Sequence, residues 1–418
     1  MNEILSFWAQ WLRPSAGLPT VQWSLLLAVA AIAGYLCQRH TGLPKVVGYS
    51  LVGTAAGLAG FSGAVWPLQG IGLFLLELGI SIVLFECGGR IPLRWFRHNP
   101  MVLVQSMAES ALTYFAVYWV LVWLDMPAHM AGPLALVALA ASPAVLTRVV
   151  ADTRAAGPVT ERAIVLATLS TLYALTLGSA RAEQINRQSV TLLDTMYPVV
   201  VVLGVSIIVA AVLSLALRMA LRFMSPTSEN TSMLLLALIA AATAVAAHMG
   251  GSAPLAALLG GMLLKQLNPR PWAWPRQLGN ASSLLTMLMF VLVSTVAAQA
   301  DWSGPVAGVV LTLIAVRLAA KAVGVGLGNV GSGASWRQAL WVGCAMTPMS
   351  SIALLIASQF VVASPSTGHL IARVALPAIL LMEVLGAVIA TVAIYRAGES
   401  SKPWAPLSRG GNGDRSES

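Results

Sequence analysis

The sequence predicts an all-α polytopic membrane protein: about thirteen transmembrane helices in two inverted repeats, with two crossed, broken helices at spans 5 and 12. Three observations carry this. Of 418 residues, 58% are hydrophobic and only 9% charged, where soluble domains carry about 25% charged residues. Lys and Arg collect in alternate loops between the apolar runs. Two of those runs are interrupted mid-way by a proline, in Ala140-Ala141-Ser142-Pro143-Ala144 and in Cys344-Ala345-Met346-Thr347-Pro348-Met349.

A helix of about 20 apolar residues crosses the hydrocarbon core. The apolar runs lie near 21–38, 44–60, 70–88, 101–124, 131–150, 162–180, 190–217, 232–249, 252–267, 281–300, 304–327, 338–360 and 371–396. Residues 1–20 read as an N-terminal extracytoplasmic segment, with Arg13 but no basic start followed by a small-residue cleavage site, so no cleaved signal peptide is expected. Residues 21–396 form the transmembrane domain, and 397–418, with Gly, Ser and Pro and no apolar run, read as a disordered cytoplasmic tail.

The loop charges test this count. One side of the membrane collects Arg39, Lys45, Arg90, Arg94, Arg97, Arg148, Arg154, Arg162, Arg218 and Arg222. The same side then takes Lys265, Arg270, Arg276, Lys321, Arg337 and the tail cations. The other keeps only Arg13, Arg181, Arg187 and Arg373, and Arg317 lies within a span. A wrong helix count would scramble this alternation, so the N-terminus is placed outside and the C-terminus in the cytoplasm. The expected location is a bacterial inner membrane.

Proline removes a backbone donor and clashes with the preceding turn, so Pro143 and Pro348 should each interrupt a helix. Non-helical backbone at membrane depth is tolerated where it is buried or lines a cavity. With the breaks in spans 5 and 12, an odd offset makes the two broken helices cross in opposite directions. That is the mark of inverted repeats, here about 21–180 and 232–396, joined by a linker helix at about 190–217.

Several function classes are excluded. The net charge of +9 sits in short loops, where it is a topology signal rather than a nucleic-acid footprint. Cys37, Cys87 and Cys344 have no metal-ligand spacing. No glycine-rich loop follows a strand pattern, and there is no His-Glu-x-x-His, intramembrane acid dyad or nucleophile with a base, so neither an enzyme nor a cofactor is expected.

Ionisable residues inside spans are costly and therefore functional candidates. They are Glu77, Glu86, Glu109, Asp194, His248, Arg317, Lys321 and Glu383. Arg317 cannot give up its proton and must find acceptors, either freed carbonyls of a broken helix or an acid such as Glu383, so both are read as organising the core. Glu77 and Glu109 read as helix-packing or inter-helix pairing groups. Glu86 is the candidate proton carrier, with a local salt bridge to Arg90, one turn away, as its competing role. Lys321 is expected to snorkel to the membrane surface, and His248 to be a surface residue.

Leu43-Pro44-Lys45-Val46-Val47-Gly48-Tyr49-Ser50-Leu51-Val52-Gly53, Leu76-Glu77-Leu78-Gly79-Ile80, Ser142-Pro143-Ala144-Val145-Leu146, Thr347-Pro348-Met349-Ser350-Ser351-Ile352-Ala353-Leu354 and Glu383-Val384-Leu385-Gly386-Ala387, with Arg317, recur in this order and spacing. Together they resemble the monovalent cation:proton antiporter superfamily, the sodium/hydrogen exchanger-like transporters. The resemblance spans the membrane portion. It implies a core domain holding the two broken helices, a panel domain that moves against it and serves as a homodimer surface, and secondary antiport of sodium or potassium against protons. The implied ion path runs through Ser142, Thr171, Leu172, Tyr173, Thr347, Ser350 and Ser351.

One departure stands out. The family carries an ion-binding Asp-Asp or Asn-Asp in the sixth span, and by register that pair falls here on Thr171 and Leu172, with no acid between Arg162 and Arg181. The tenth-span Lys or Arg of many members is missing too. Hydroxyls and freed carbonyls can coordinate a sodium-like ion, but they carry no proton near neutral pH. Two readings therefore stand: a cation:proton antiporter, or a non-coupled or non-transporting relative that has lost its ion-binding carboxylates.

Overall fold

A computed structural model describes residues 19–61, 66, 70–91, 93–185, 192–225, 228–268, 276–300, 302–330 and 332–401. Helices account for nearly all of it. In order they are α1 (Pro19–Thr41), α2 (Lys45–Leu58), α3 (Gly70–Gly89), α4 (Leu93–His98), α5 (Pro100–Trp123), α6 (Ala128–Leu139), α7 (Pro143–Thr153) and α8 (Pro158–Gln184). There follow α9 (Leu192–Phe223), α10 (Glu229–His248), α11 (Ala253–Leu267), α12 (Arg276–Ala298), α13 (Gly304–Leu327), α14 (Trp336–Ala345), α15 (Ser351–Ala363) and α16 (Pro365–Ala397). The predicted segment 1–20 and the predicted tail lie largely outside the described residues, as does the side chain of Asp194.

The protein is an all-α polytopic membrane protein. Among the described residues, seven helical segments are long and apolar enough to cross a membrane, the longest being Pro365–Ala397. Others are shorter; α2, at 14 residues, spans about 21 Å at 1.5 Å per residue, less than the hydrocarbon core. Large apolar side chains face outward along the helices, among them Ile32, Trp119, Ile208 and Val212, as they must where the solvent is lipid.

Both proline segments interrupt their helices. The stretch 128–153 divides into α6 and α7 around residues 140–142, and the stretch 336–363 into α14 and α15 around residues 346–350. Pro143 takes the first turn of α7, where a missing N–H costs nothing, and Ser142 caps that helix by accepting from Val145 N at 3.4 Å. At α14 a full capping box forms, with Ser335 and Gln338 satisfying each other's backbone N–H.

Helix contacts repeat in a pseudo-symmetric pattern. Helix α2 packs on α12 and α11 on α3; α5 packs on α6 and α13 on α14; α6 touches α16 and α14 touches α8. The two broken stretches sit at the centre, and α6, α15 and the middle of α16 are buried nearly throughout.

Residues 398–401, expected to begin the disordered tail, are bonded to the α7–α8 connection. The Glu399 carboxylate accepts from Val159 N at 2.8 Å and Thr160 N at 2.7 Å, capping α8, while Ser400 and Ser401 donate to Thr153 O and Arg154 O. A carboxylate at a helix N-terminus satisfies orphan donors and complements the helix dipole.

Candidate functional site

Interrupting α6 frees carbonyls at its end and in the break, and side chains meet those of Ala138, Leu139, Ala140 and Ala141. Arg317 Nε donates to Ala138 O at 2.7 Å and its Nη2 to Ala140 O at 2.8 Å. Ser170 Oγ donates to Leu139 O at 2.9 Å and Thr171 Oγ1 to Ala141 O at 3.0 Å. The same guanidinium reaches the other break, with Nη1 donating to Thr347 O at 2.5 Å and Nη2 to Pro348 O at 3.5 Å. Ser142 N closes the junction by donating to Pro348 O at 2.9 Å. Arg317 therefore answers freed carbonyls of both breaks and does not pair with Glu383.

Lys321 lies one turn beyond Arg317 on α13 and is fully buried, which corrects the expectation that it snorkels to the surface. Its Nζ donates to Glu109 Oε1 at 2.5 Å and to Leu139 O at 3.3 Å, and lies 3.5 Å from Ser170 Oγ. A lysine snorkels only if its stem leads to water; the i, i+4 spacing from a buried arginine puts Lys321 on the same inward face. That spacing was the available signal. Glu109 also accepts from Ser110 and Thr113 on its own helix, α5.

The predicted path residues divide. Thr171 is committed to Ala141 O and Ala167 O, Thr347 Oγ1 donates to Cys344 O, and Ser142 caps α7. Ser350 and Ser351 are different: both hydroxyls are buried and lack hydrogen-bond partners. Leu172 and Tyr173 line a largely apolar cavity of about 690 Å³, lined also by Leu139, Ser110, Tyr114 and Arg181.

Glu86 accepts from Arg90 Nη2 at 2.6 Å near the end of α3, with a quarter of its side chain exposed. It takes the local salt bridge. Glu77 lines a second cavity, of about 390 Å³, with Ser179, Glu183 and Gln359. His248 is exposed at the end of α10.

Glu383, on α16, is fully buried. Ser294 of α12 donates to its Oε2 at 3.0 Å, and the hydroxyls of Ser50 on α2 and Ser350 beside the second break face the same carboxyl without completing a hydrogen bond. Its Oε1 has no partner. Sequence reasoning missed Ser50 and Ser294; the small-residue run Ser50, Gly53, Gly57 was the usable sign that one face of α2 meets another helix closely. Among the described residues, no three His, Cys, Asp or Glu side chains gather as a metal site.

The family described as sodium/hydrogen exchanger, transmembrane, matches residues 27–396. No curated protein matches the sequence. Among solved structures, the sodium proton antiporter MjNhaP1 of Methanocaldococcus jannaschii, in a structure at pH 8, is similar with a TM-score of 0.70 at 12% identity, covering 91% of this chain and 100% of that one. An electron-microscopy map of the same antiporter is similar with a TM-score of 0.73 at 14% identity, covering 93% and 100%. At these identities the likeness concerns the fold.

Proposed function

The chain belongs to the sodium/hydrogen exchanger transmembrane family, and from that premise we propose that it exchanges a monovalent cation, sodium or potassium, for protons by alternating access. It is a secondary transporter of the cation:proton antiporter superfamily. In this reading thirteen spans cross a bacterial inner membrane with the N-terminus outside and the C-terminus in the cytoplasm. Two inverted repeats meet at the crossed breaks, and a panel domain carries a homodimer contact.

The observation that carries the reading is the junction of the two breaks. Ser142 N bonds to Pro348 O, and Arg317 ties Ala138 O and Ala140 O to Thr347 O. A buried cation answering the freed carbonyls of both half-helices holds the centre rigid. Neighbouring helices can then move against it as a unit, which alternating access requires.

A second reading, a relative that no longer couples to protons, is favoured by one specific observation. The Thr171 hydroxyl, at the position where the resemblance would put the first residue of the family's acidic pair, is already used by Ala141 O. The discriminating experiment imposes a pH gradient on proteoliposomes of the purified full chain and adds sodium, lithium or potassium. Cation-dependent dissipation supports antiport. A silent but correctly inserted protein that gains activity only as Leu172→Asp supports the second reading.

A further inference from the structure

We propose that Glu383, with the hydroxyls of Ser50, Ser294 and Ser350, forms an exchange site that takes either a proton or one monovalent cation. This names the ion-binding group of the transporter proposed above and rests on that reading.

The argument begins with packing. A Cβ at Gly386 would stand 2.6 Å from Pro348 Cα, so α16 can lie against the second break only because that position is glycine. Glu383 is one turn earlier on α16 and so comes beside Ser350. A Cβ at Gly53 would stand 2.6 Å from Val291 O, so α2 and α12 touch along their backbones. Ser50 and Ser294 lie one turn from that contact. Helix α16 packs against both α2 and α12, and with the two close approaches this brings one carboxyl and three hydroxyls together at the seam.

Their hydrogen bonding is incomplete. Only Ser294 donates to Glu383, while Glu383 Oε1, Ser50 Oγ and Ser350 Oγ are buried without partners. Buried polar groups in folded proteins are nearly always satisfied, and a cluster of exceptions calls for an explanation. No cation supplies one: among the described residues no ion pair reaches Glu383, and no titratable side chain of α2, α12, α14 or α15 faces it. The buried cations of α13 are taken, Arg317 by break carbonyls and Lys321 by Glu109. An ionised carboxylate without a counter-charge is costly in a membrane interior. The group is therefore held as a neutral acid, or as a carboxylate with a bound cation.

Three hydroxyls and a carboxylate are hard oxygen donors, suited to an alkali cation that has shed part of its water. The exchange balances as carboxylic acid plus cation giving carboxylate-bound cation plus a released proton. Ser50 and Ser294 come from α2 and α12, whereas Glu383 and Ser350 come from α16 and the second break. Sliding these pairs apart would strip two ligands and open the carboxyl.

The test adds sodium, lithium or potassium chloride to purified full chain in weak buffer, with choline chloride as control, and follows proton release; the same preparations are then assayed for transport. The expected result is cation-induced release of one proton per chain that disappears in Glu383→Gln, persists in Glu86→Gln and returns in Glu383→Asp. Ser50→Ala and Ser294→Ala should raise the half-saturating cation concentration about tenfold. Release that survives in a folded Glu383→Gln overturns the site, as does a wild type that transports cations with unchanged rate in Glu383→Gln. Release that depends on Glu383 in a protein that moves no ions keeps the site and overturns the antiport reading instead.

Discussion

Lys321 Nζ donates to Glu109 Oε1 at 2.5 Å between α13 and α5, with neither side chain exposed. Removing one partner leaves the other charge buried and uncompensated, a loss of about 3–5 kcal/mol. Glu109→Gln and Lys321→Met should each lower the melting temperature sharply, and the double variant should be less damaged than the sum of the two. Additive losses in thermal melts would show that the two charges do not act as a pair.

Arg317 is the second case of a buried cation with a defined task. Arg317→Lys keeps the charge but loses the planar fork that spans Ala138 O, Ala140 O and Thr347 O. The expected result is transport reduced at least tenfold in a protein that still inserts, read by gradient dissipation beside an insertion control. Wild-type transport by Arg317→Lys would mean that charge alone holds the junction.

Glu86 accepts from Arg90, four residues on and just past the end of α3, and such local, partly exposed pairs contribute only about 0.3–0.5 kcal/mol. Glu86→Gln should leave melting temperature and cation-dependent transport close to wild type. Loss of transport in that variant would falsify the local role and restore Glu86 as a proton carrier.

Glu399 caps α8 through Val159 N, Thr160 N and Thr160 Oγ1. Loss of a helix cap costs typically about 1 kcal/mol. Truncation after Gly398, or Glu399→Ala, should therefore lower stability by about that amount and raise amide exchange at the start of α8. Unchanged exchange there would mean that the cap carries no weight.

Much of the fold was legible because its determinants are local. A run of apolar residues makes a helix in lipid whatever its neighbours do, and a proline breaks a helix wherever it sits, so the breaks at 140–142 and 346–350 and the helices flanking them follow from short stretches of chain. The need of Arg317 for acceptors was likewise readable, since a guanidinium in an apolar span stays charged; that they are freed carbonyls and not the Glu383 carboxylate was decided by packing.

The assignment of partners was not readable. Lys321 and Glu109 lie 212 residues apart, and Ser294 and Glu383 lie 89 apart. Nothing in either local stretch says which helix will face it. Glu86 and Glu383 are equally plain glutamates in apolar runs; one finds Arg90 four residues on in the chain, and the other meets only hydroxyls among the described residues. By itself the sequence determined which segments are helical, where two of them break and which charges must be accommodated. The tertiary structure decided which charge neutralises which and which carboxyl is left without a counter-charge, because ion pairing falls steeply with distance and only packing brings remote residues within reach.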